Sequence, residues 1–157
     1  MMPRVHPLMR IPVPWVFLLA YFVGVVLEGY LPSPELEPGV RRAAHAAGFV
    51  LLAVGAALAV TCLVMFRKAR TTTIPGQESS RLVTHGPYRF SRNPMYVSLT
   101  VVYLGEAAAL GQLWPLVPLL LTLAYLHWTV IPYEEARLQQ SFGATYDAYR
   151  ARVRRWV

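Results

Sequence analysis

The chain has 157 residues, room for one domain, and 55% of them are apolar, more than the core of a soluble domain of this size can use. Such a chain needs lipid as its solvent, so a formal charge of +7 reads as basic residues facing anionic head groups rather than as a nucleic-acid surface. Cys62 is the single cysteine, which excludes an internal disulfide and argues against a cysteine-based metal site.

A spanning helix takes about 20 mostly apolar residues, because the hydrocarbon layer is about 30 Å thick and each helical residue rises about 1.5 Å. The first such segment is 11–31; Arg4 and Arg10 precede it as in a signal peptide, but no small-residue cleavage site follows, so it is read as a retained helix. The second covers 43–66. Its small residues four apart, Ala53 with Ala57 and Gly55 with Ala59, allow a neighbouring helix to approach closely. The third and fourth, 94–110 and 113–131, are separated only by Gly111 and Gln112, which predicts a tight helical hairpin; Gly105 and Ala109 repeat the small-residue pattern. Trp15, Trp114 and Trp128 stand towards span ends, where indole rings favour the interface.

After span four, Pro132 suits a first helical position, and Leu138, Phe142, Tyr146, Tyr149 and Val153 recur at helical spacing. This marks an amphipathic helix lying on the membrane surface, with Gly143 a candidate break. Thirteen of the Lys and Arg residues fall before span one, in the 67–92 loop or in the tail, against two in the 32–42 connection. The positive-inside rule then puts both termini and the long loop in the cytoplasm. The expected fold is an all-α integral membrane protein of about four spans plus the tail helix, one domain over 1–157, in a bacterial-type inner or cytoplasmic membrane.

Polar residues gather in two places on that side. The stretch from Arg81 to Tyr96 holds a Gly86-Pro87 turn signal, with His85 beside it, and then Asn93-Pro94 as a helix start with Asn93 as N-cap. The start of span three, with Arg89 and Arg92 next to it, would attract an anionic group; the plainer alternative is a basic stop signal and a cap. The second place is Glu134-Glu135, which either complement a helix dipole or receive a ligand's hydroxyls and ammonium. There is no Gly-rich dinucleotide fingerprint, no P-loop and no tight metal spacing. His6, His45, His85 and His127 are scattered. Glu106, inside span three, is the one acid well within an apolar segment, which marks it for function or for a hydrogen-bonded structural role.

Gly86-Pro87-Tyr88, Arg92-Asn93-Pro94 and Tyr96, followed beyond the hairpin by Glu134-Glu135, Leu138, Phe142-Gly143, Tyr146 and Tyr149, resemble the isoprenylcysteine carboxyl methyltransferase family and its relatives, the phospholipid N-methyltransferases. The likeness covers 71–156. It implies a membrane methyltransferase that holds S-adenosylmethionine in a non-Rossmann pocket roofed by its C-terminal segments, releases S-adenosylhomocysteine, and acts on a lipophilic or lipid-modified acceptor. Carried over, the cofactor contacts fall on Leu82, Val83, His85, Gly86, Tyr88, Asn93, Pro94, Met95, Tyr96 and Glu134. Many family members have histidine where Asn93 stands, and the eukaryotic prenylcysteine enzymes carry an arginine at the position of Val130.

Methyl transfer from a sulfonium is an in-line displacement, so alignment supplies most of the catalysis. Tyr96, Arg92, Glu135 and Glu106 are the residues expected at the reacting centre, with Tyr88 and Tyr96 offering ring faces to the sulfonium, Arg89 or Arg92 holding the methionine carboxylate, and Glu134 taking the ribose or amino group. His127 is a candidate for lining the acceptor path. Phospholipid N-methylation, thiol S-methylation and a non-enzymatic membrane scaffold or carrier are the alternatives.

Overall fold

The computed structural model describes residues 11–31, 33–69 and 82–157. Arg4, His6, Arg10, Thr71 and Arg81 lie outside the described residues. All regular structure described is helical. Helix α1 runs Val13–Tyr30, α2 Pro38–Ala69, α3 Pro94–Leu110, α4 Leu116–Tyr125, α5 Ile131–Phe142 and α6 Ala144–Arg150. A 3₁₀ turn covers Gly86–Arg89, and a π turn at Leu126–Val130 joins α4 to α5. Among the described residues, three helices are long and apolar enough to cross a membrane: α1, α2 and the continuous run Leu116–Phe142; α3 is apolar but shorter. Their outward faces carry exposed Leu18, Phe22, Phe49, Val50, Leu120 and Leu121, surface that only lipid can cover without cost.

Helices α2 and α3 form the closest pair. A Cβ at Gly48 would collide with the backbone of Ala109, and one at Gly105 would lie 2.7 Å from the amide nitrogen of Leu52. At Gly55 it would lie 2.7 Å from Val102 Cγ2. Lipid tails give no hydrophobic drive between helices, so such backbone-to-backbone approach supplies the van der Waals attraction instead. Of the small residues expected to serve this purpose, Gly55, Gly105 and Ala109 face the partner helix, whereas Ala53 and Ala57 are exposed.

The expected tight hairpin of the third and fourth spans is not what forms. Helix α3 packs mainly on α2, and α4 mainly on α1. The reason lies in residues 111–115: Gly111 ends α3 in the left-handed region at φ 67°, and Pro115 is pressed against Gly24 of α1, which seats α4 on α1. Glu28 accepts the amide protons of Leu113 and Trp114 at 3.1 and 3.0 Å, satisfying donors that open α4. Tyr103 donates to the Pro115 carbonyl at 2.7 Å and meets Tyr21 edge-on at 4.9 Å. The two helices are therefore tied at this end and part towards the other.

Pro132 also departs from expectation. It does not begin a separate helix; the run continues through it to Phe142. The Ile131 amide bonds to the Leu126 carbonyl, five residues back, and this wide turn directly ahead of Pro132 makes room for a ring that would clash in a regular helix. Gly143, at φ 48°, does break the tail, separating α5 from α6. Of the apolar tail face, Tyr146 and Tyr149 are buried, and Leu138, Phe142 and Val153 are half-buried.

Candidate active site

The start of α3 and the chain after the π turn meet at one end of the helices. Tyr96 is buried in the first turn of α3, and its hydroxyl donates to Glu134 Oε1 at 2.8 Å. Beside this contact, Glu135 receives two arginines. Arg92 Nη2 bonds Oε1 at 2.8 Å, while Arg155 bonds Oε2 through Nη2 at 2.7 Å and Oε1 through Nε at 3.2 Å. Side-chain exposure is 11% for Arg92 and 10% for Glu135, so neither charge could stay in place without the other. The glutamates are adjacent on α5 yet do separate work, one facing a tyrosine and the other two guanidinium groups.

The tail closes over the loop by backbone bonds. Arg92 and Asn93 hold it from below: the Arg92 amide donates to Arg154 O at 2.9 Å, Arg92 Nη1 to Arg150 O at 3.1 Å, and Asn93 Nδ2 to Arg155 O at 2.8 Å. Asn93 occupies the N-cap position but its side-chain oxygen accepts no N–H of the first turn; its Nδ2 is turned to the tail carbonyl, and its own backbone N–H donates to Ser91 Oγ at 3.0 Å. Tyr149 donates to Tyr88 O at 2.8 Å. Burial pushes the Tyr149 and Tyr146 phenols from 10.0 up to about 12, so both remain donors at neutral pH.

The other predicted residues fall around this centre in different ways. Tyr88 and Val83 are buried with Cys62 in a small cluster against α2, joined by Met65, Phe66 and Met95; Phe66 meets Tyr88 edge-on at 5.5 Å. Burial raises the Tyr88 phenol well above its usual value. Tyr96 belongs to the larger core of α1, α3 and α4, so Met95 and Tyr96 begin α3 facing two different cores. Leu82 is half-buried, Pro94 buried, and His85 exposed. Gly86 sits at φ 59° with Met65 Sδ where a Cβ would go, a position only glycine fills easily. Arg89 is exposed and contributes no described contact to the centre. Glu106 is not brought in: ten residues beyond Tyr96, it stands about 15 Å further along α3, one turn from its far end.

Sequence reasoning passed over Arg155, which looked like tail decoration. The signal was available in Glu135, a carboxylate close to apolar spans that requires a cationic partner. It also missed the pairing of His127 with Trp156, whose Nε1 donates to His127 Nδ1 at 3.0 Å.

Two buried polar atoms at this centre lack a hydrogen-bond partner among the described residues, Arg92 Nε and Tyr146 Oη. Both are donors, and both stand near Glu135, whose charge acts on the Tyr146 phenol. Such orphaned donors suit an anionic ligand group such as an amino-acid carboxylate.

Helices built for lipid, with a polar, arginine-rich centre closed by the tail at one end, define an integral membrane protein. The chain belongs to the phospholipid methyltransferase family, which matches residues 43–145. It is 30% identical over 108 residues to a probable protein-S-isoprenylcysteine O-methyltransferase of Oryza sativa subsp. indica, an alignment covering 68% of this chain and 56% of that protein. To protein-S-isoprenylcysteine O-methyltransferase A of Arabidopsis thaliana it is 28% identical over 128 residues, 79% of this chain and 65% of the relative. The chain thus spans between about half and two thirds of the length of these relatives. No solved structure matches it significantly.

Proposed function

We propose that this chain is an integral membrane methyltransferase that takes its methyl group from S-adenosylmethionine and passes it to a lipophilic acceptor, in the manner named for its isoprenylcysteine O-methyltransferase relatives. The observation that carries this reading is the Tyr96–Glu134 bond, which joins the start of α3 to the start of α5 beside a cluster of arginines. Membership of the family and the orphaned donors of Arg92 and Tyr146 support it.

The donor set suits the cofactor. Arg92 Nε and Tyr146 Oη would hold its carboxylate, Glu134 its amino group or ribose hydroxyls, and the Tyr96 ring would lie near the cationic sulfur. When bound, S-adenosylmethionine supplies an activated methyl that leaves by in-line displacement. The protein's share is alignment, which in favourable geometry accounts for about 7–11 kcal/mol of a barrier. Tyr96 fixes the carboxylate of Glu134 in one orientation, and the Arg92–Glu135–Arg155 cluster anchors the tail so that water is kept out. Leu82, Val83, His85, Gly86, Tyr88, Asn93, Pro94 and Met95 frame the pocket, most of them by shaping the loop rather than by donating a polar group.

We also propose that α3 spans the membrane as a fourth helix. At about 26 Å it is only slightly shorter than the hydrocarbon layer, and its pairing with α2 along its length carries it across. The arginine-rich end then faces the cytoplasm, with α6 and the tail along the inner surface. The test of the site is Glu134→Gln in detergent-solubilised protein. S-adenosylhomocysteine affinity should fall by about tenfold or more, the scale of a lost charged hydrogen bond. Unchanged affinity removes Glu134 from the site. Incubating membranes with methyl-labelled cofactor and isolating the labelled product identifies the acceptor.

A further inference from the structure

Where α3 and α4 part, they leave an open crevice of about 620 Å³, lined among others by Val97 and Thr100 from α3, Leu120 and Leu123 from α4, and His127 and Trp156. Its walls are almost wholly apolar, and it adjoins the candidate site. Val97 follows Tyr96, Thr100 Oγ1 donates to Tyr96 O at 2.8 Å, and Trp156 follows the Arg155 that pairs with Glu135.

The few polar groups in the crevice are mostly spent. The Thr100 hydroxyl is bound to Tyr96 O, and the Trp156 N–H to His127 Nδ1. The imidazole and indole planes differ by only 13° with centroids 6.4 Å apart, so the rings lie edge to edge and the N–H points along the lone pair of Nδ1. Indole is a donor only, so Nδ1 must be the unprotonated nitrogen and the ring proton resides on Nε2. Among the described residues that leaves two uncommitted polar side-chain groups on the crevice wall, both donors: the indole N–H of Trp128, on a largely exposed side chain, and the Nε2–H of the half-buried His127. The π turn that carries His127 inserts an extra residue into the helical turn, a device that reorients side chains at functional positions.

We propose that His127, held in this tautomer by Trp156, is the specificity-determining residue for the acceptor. The acceptor's hydrocarbon chain lies in the crevice, and the Nε2–H selects a head group that offers a lone pair, an anionic oxygen above all, over one that is itself an ammonium donor. This rests on the methyltransferase reading and deepens it. With Nε2 protonated, His127 cannot accept a proton from an ammonium, so it works by recognition and orientation and not as a base.

The test is equilibrium binding to protein in nanodiscs, with empty discs as the partition control, of two probes that share a farnesyl thioether chain. One probe ends in a carboxylate and the other in a primary ammonium. The wild-type protein should prefer the acid by about tenfold or more, the scale of one charge-assisted hydrogen bond. His127→Phe should bring the two within about twofold, His127→Gln, which keeps an acceptor and a donor on one group, should retain most of the preference, and Trp156→Phe should fall between. S-adenosylhomocysteine affinity, unchanged in all variants, shows that the fold is intact. Equal wild-type binding of the two probes, or a preference that survives His127→Phe, overturns the proposal. Failure of wild-type protein to bind S-adenosylhomocysteine would instead sink the methyltransferase reading, while the probe preference still decides the role of His127.

Discussion

The α2–α3 pair and the tail closure are held together by opposite means. Between α2 and α3 the contact is mainly shape: Gly48, Gly55 and Gly105 bring backbones together, with His45 Nδ1 against the Ala109 carbonyl at 2.6 Å as a polar addition. Over the candidate site the contact is polar: carbonyls of Arg150, Arg154 and Arg155 receive donors from residues 91–93, and Glu135 gathers two arginines. A lipid solvent explains the division. Apolar side chains gain nothing by leaving lipid for one another, so close packing must hold the spans, whereas at the water-facing end hydrogen bonds and ion pairs can specify one arrangement. The first region is scaffold, and the second is a closure made of separable polar contacts.

The comparison can be broken most severely on the scaffold side. Gly48→Leu places a large side chain where a single Cβ already collides with Ala109, so α2 and α3 must separate. Loss of the folded state, or a destabilisation above about 3 kcal/mol, should appear in thermal unfolding in detergent. Gly29→Ala is the control. Nothing lies within 4 Å of its Cβ, and the change should be neutral or stabilising by up to about 1 kcal/mol. Next in size is Glu135→Ala, which strands Arg92 and Arg155. Breaking a buried pair by removing one partner costs about 3–5 kcal/mol. Here the loss should fall on the tail, read as rapid proteolysis after residue 143 and weakened S-adenosylhomocysteine binding, while the melting of the spans changes less. Arg155→Ala should do the same more weakly, because that side chain is 30% exposed.

The same division decides what could be read from the sequence. Helix α3 begins and ends where Asn93-Pro94 and Gly111 predict, because proline and glycine act on their own backbone. The meeting of Tyr96 with Glu134 was also legible, through a motif whose two halves need a common partner. What stayed hidden depends on competition between distant groups. Asn93 has the residue type of a cap, but its side-chain amide donates instead to the carbonyl of Arg155, 62 residues away. Pro132 normally ends a helix, and only the π turn before it lets the run continue. Glu106 seemed central when counted from Pro94, yet the same count leaves it one turn from the far end of α3, remote from Glu134. His127 and Trp156 each look like ordinary interfacial residues until the tail brings them together.

The smallest expected effect separates the two regions most finely. Tyr149→Phe removes one hydrogen bond, 2.8 Å to the Tyr88 carbonyl, and leaves that acceptor buried. The cost should be about 1 kcal/mol, confined to the tail. Its pH dependence gives the test its sharpness. The folded phenol is raised by burial from 10.0 to about 12, so the unfolded tail ionises first as pH rises. The stabilisation is therefore complete below about pH 10 and is lost as pH climbs towards 12. Wild-type tail protection against proteolysis should decline across that window, and Tyr149→Phe should start lower and decline less steeply. Part of the decline will remain, because Tyr146 titrates in the same range. The contact between α2 and α3, built mainly from glycines, should not respond in that window. A pH response of equal size in the spans would mean that the closure and the scaffold unfold as one unit.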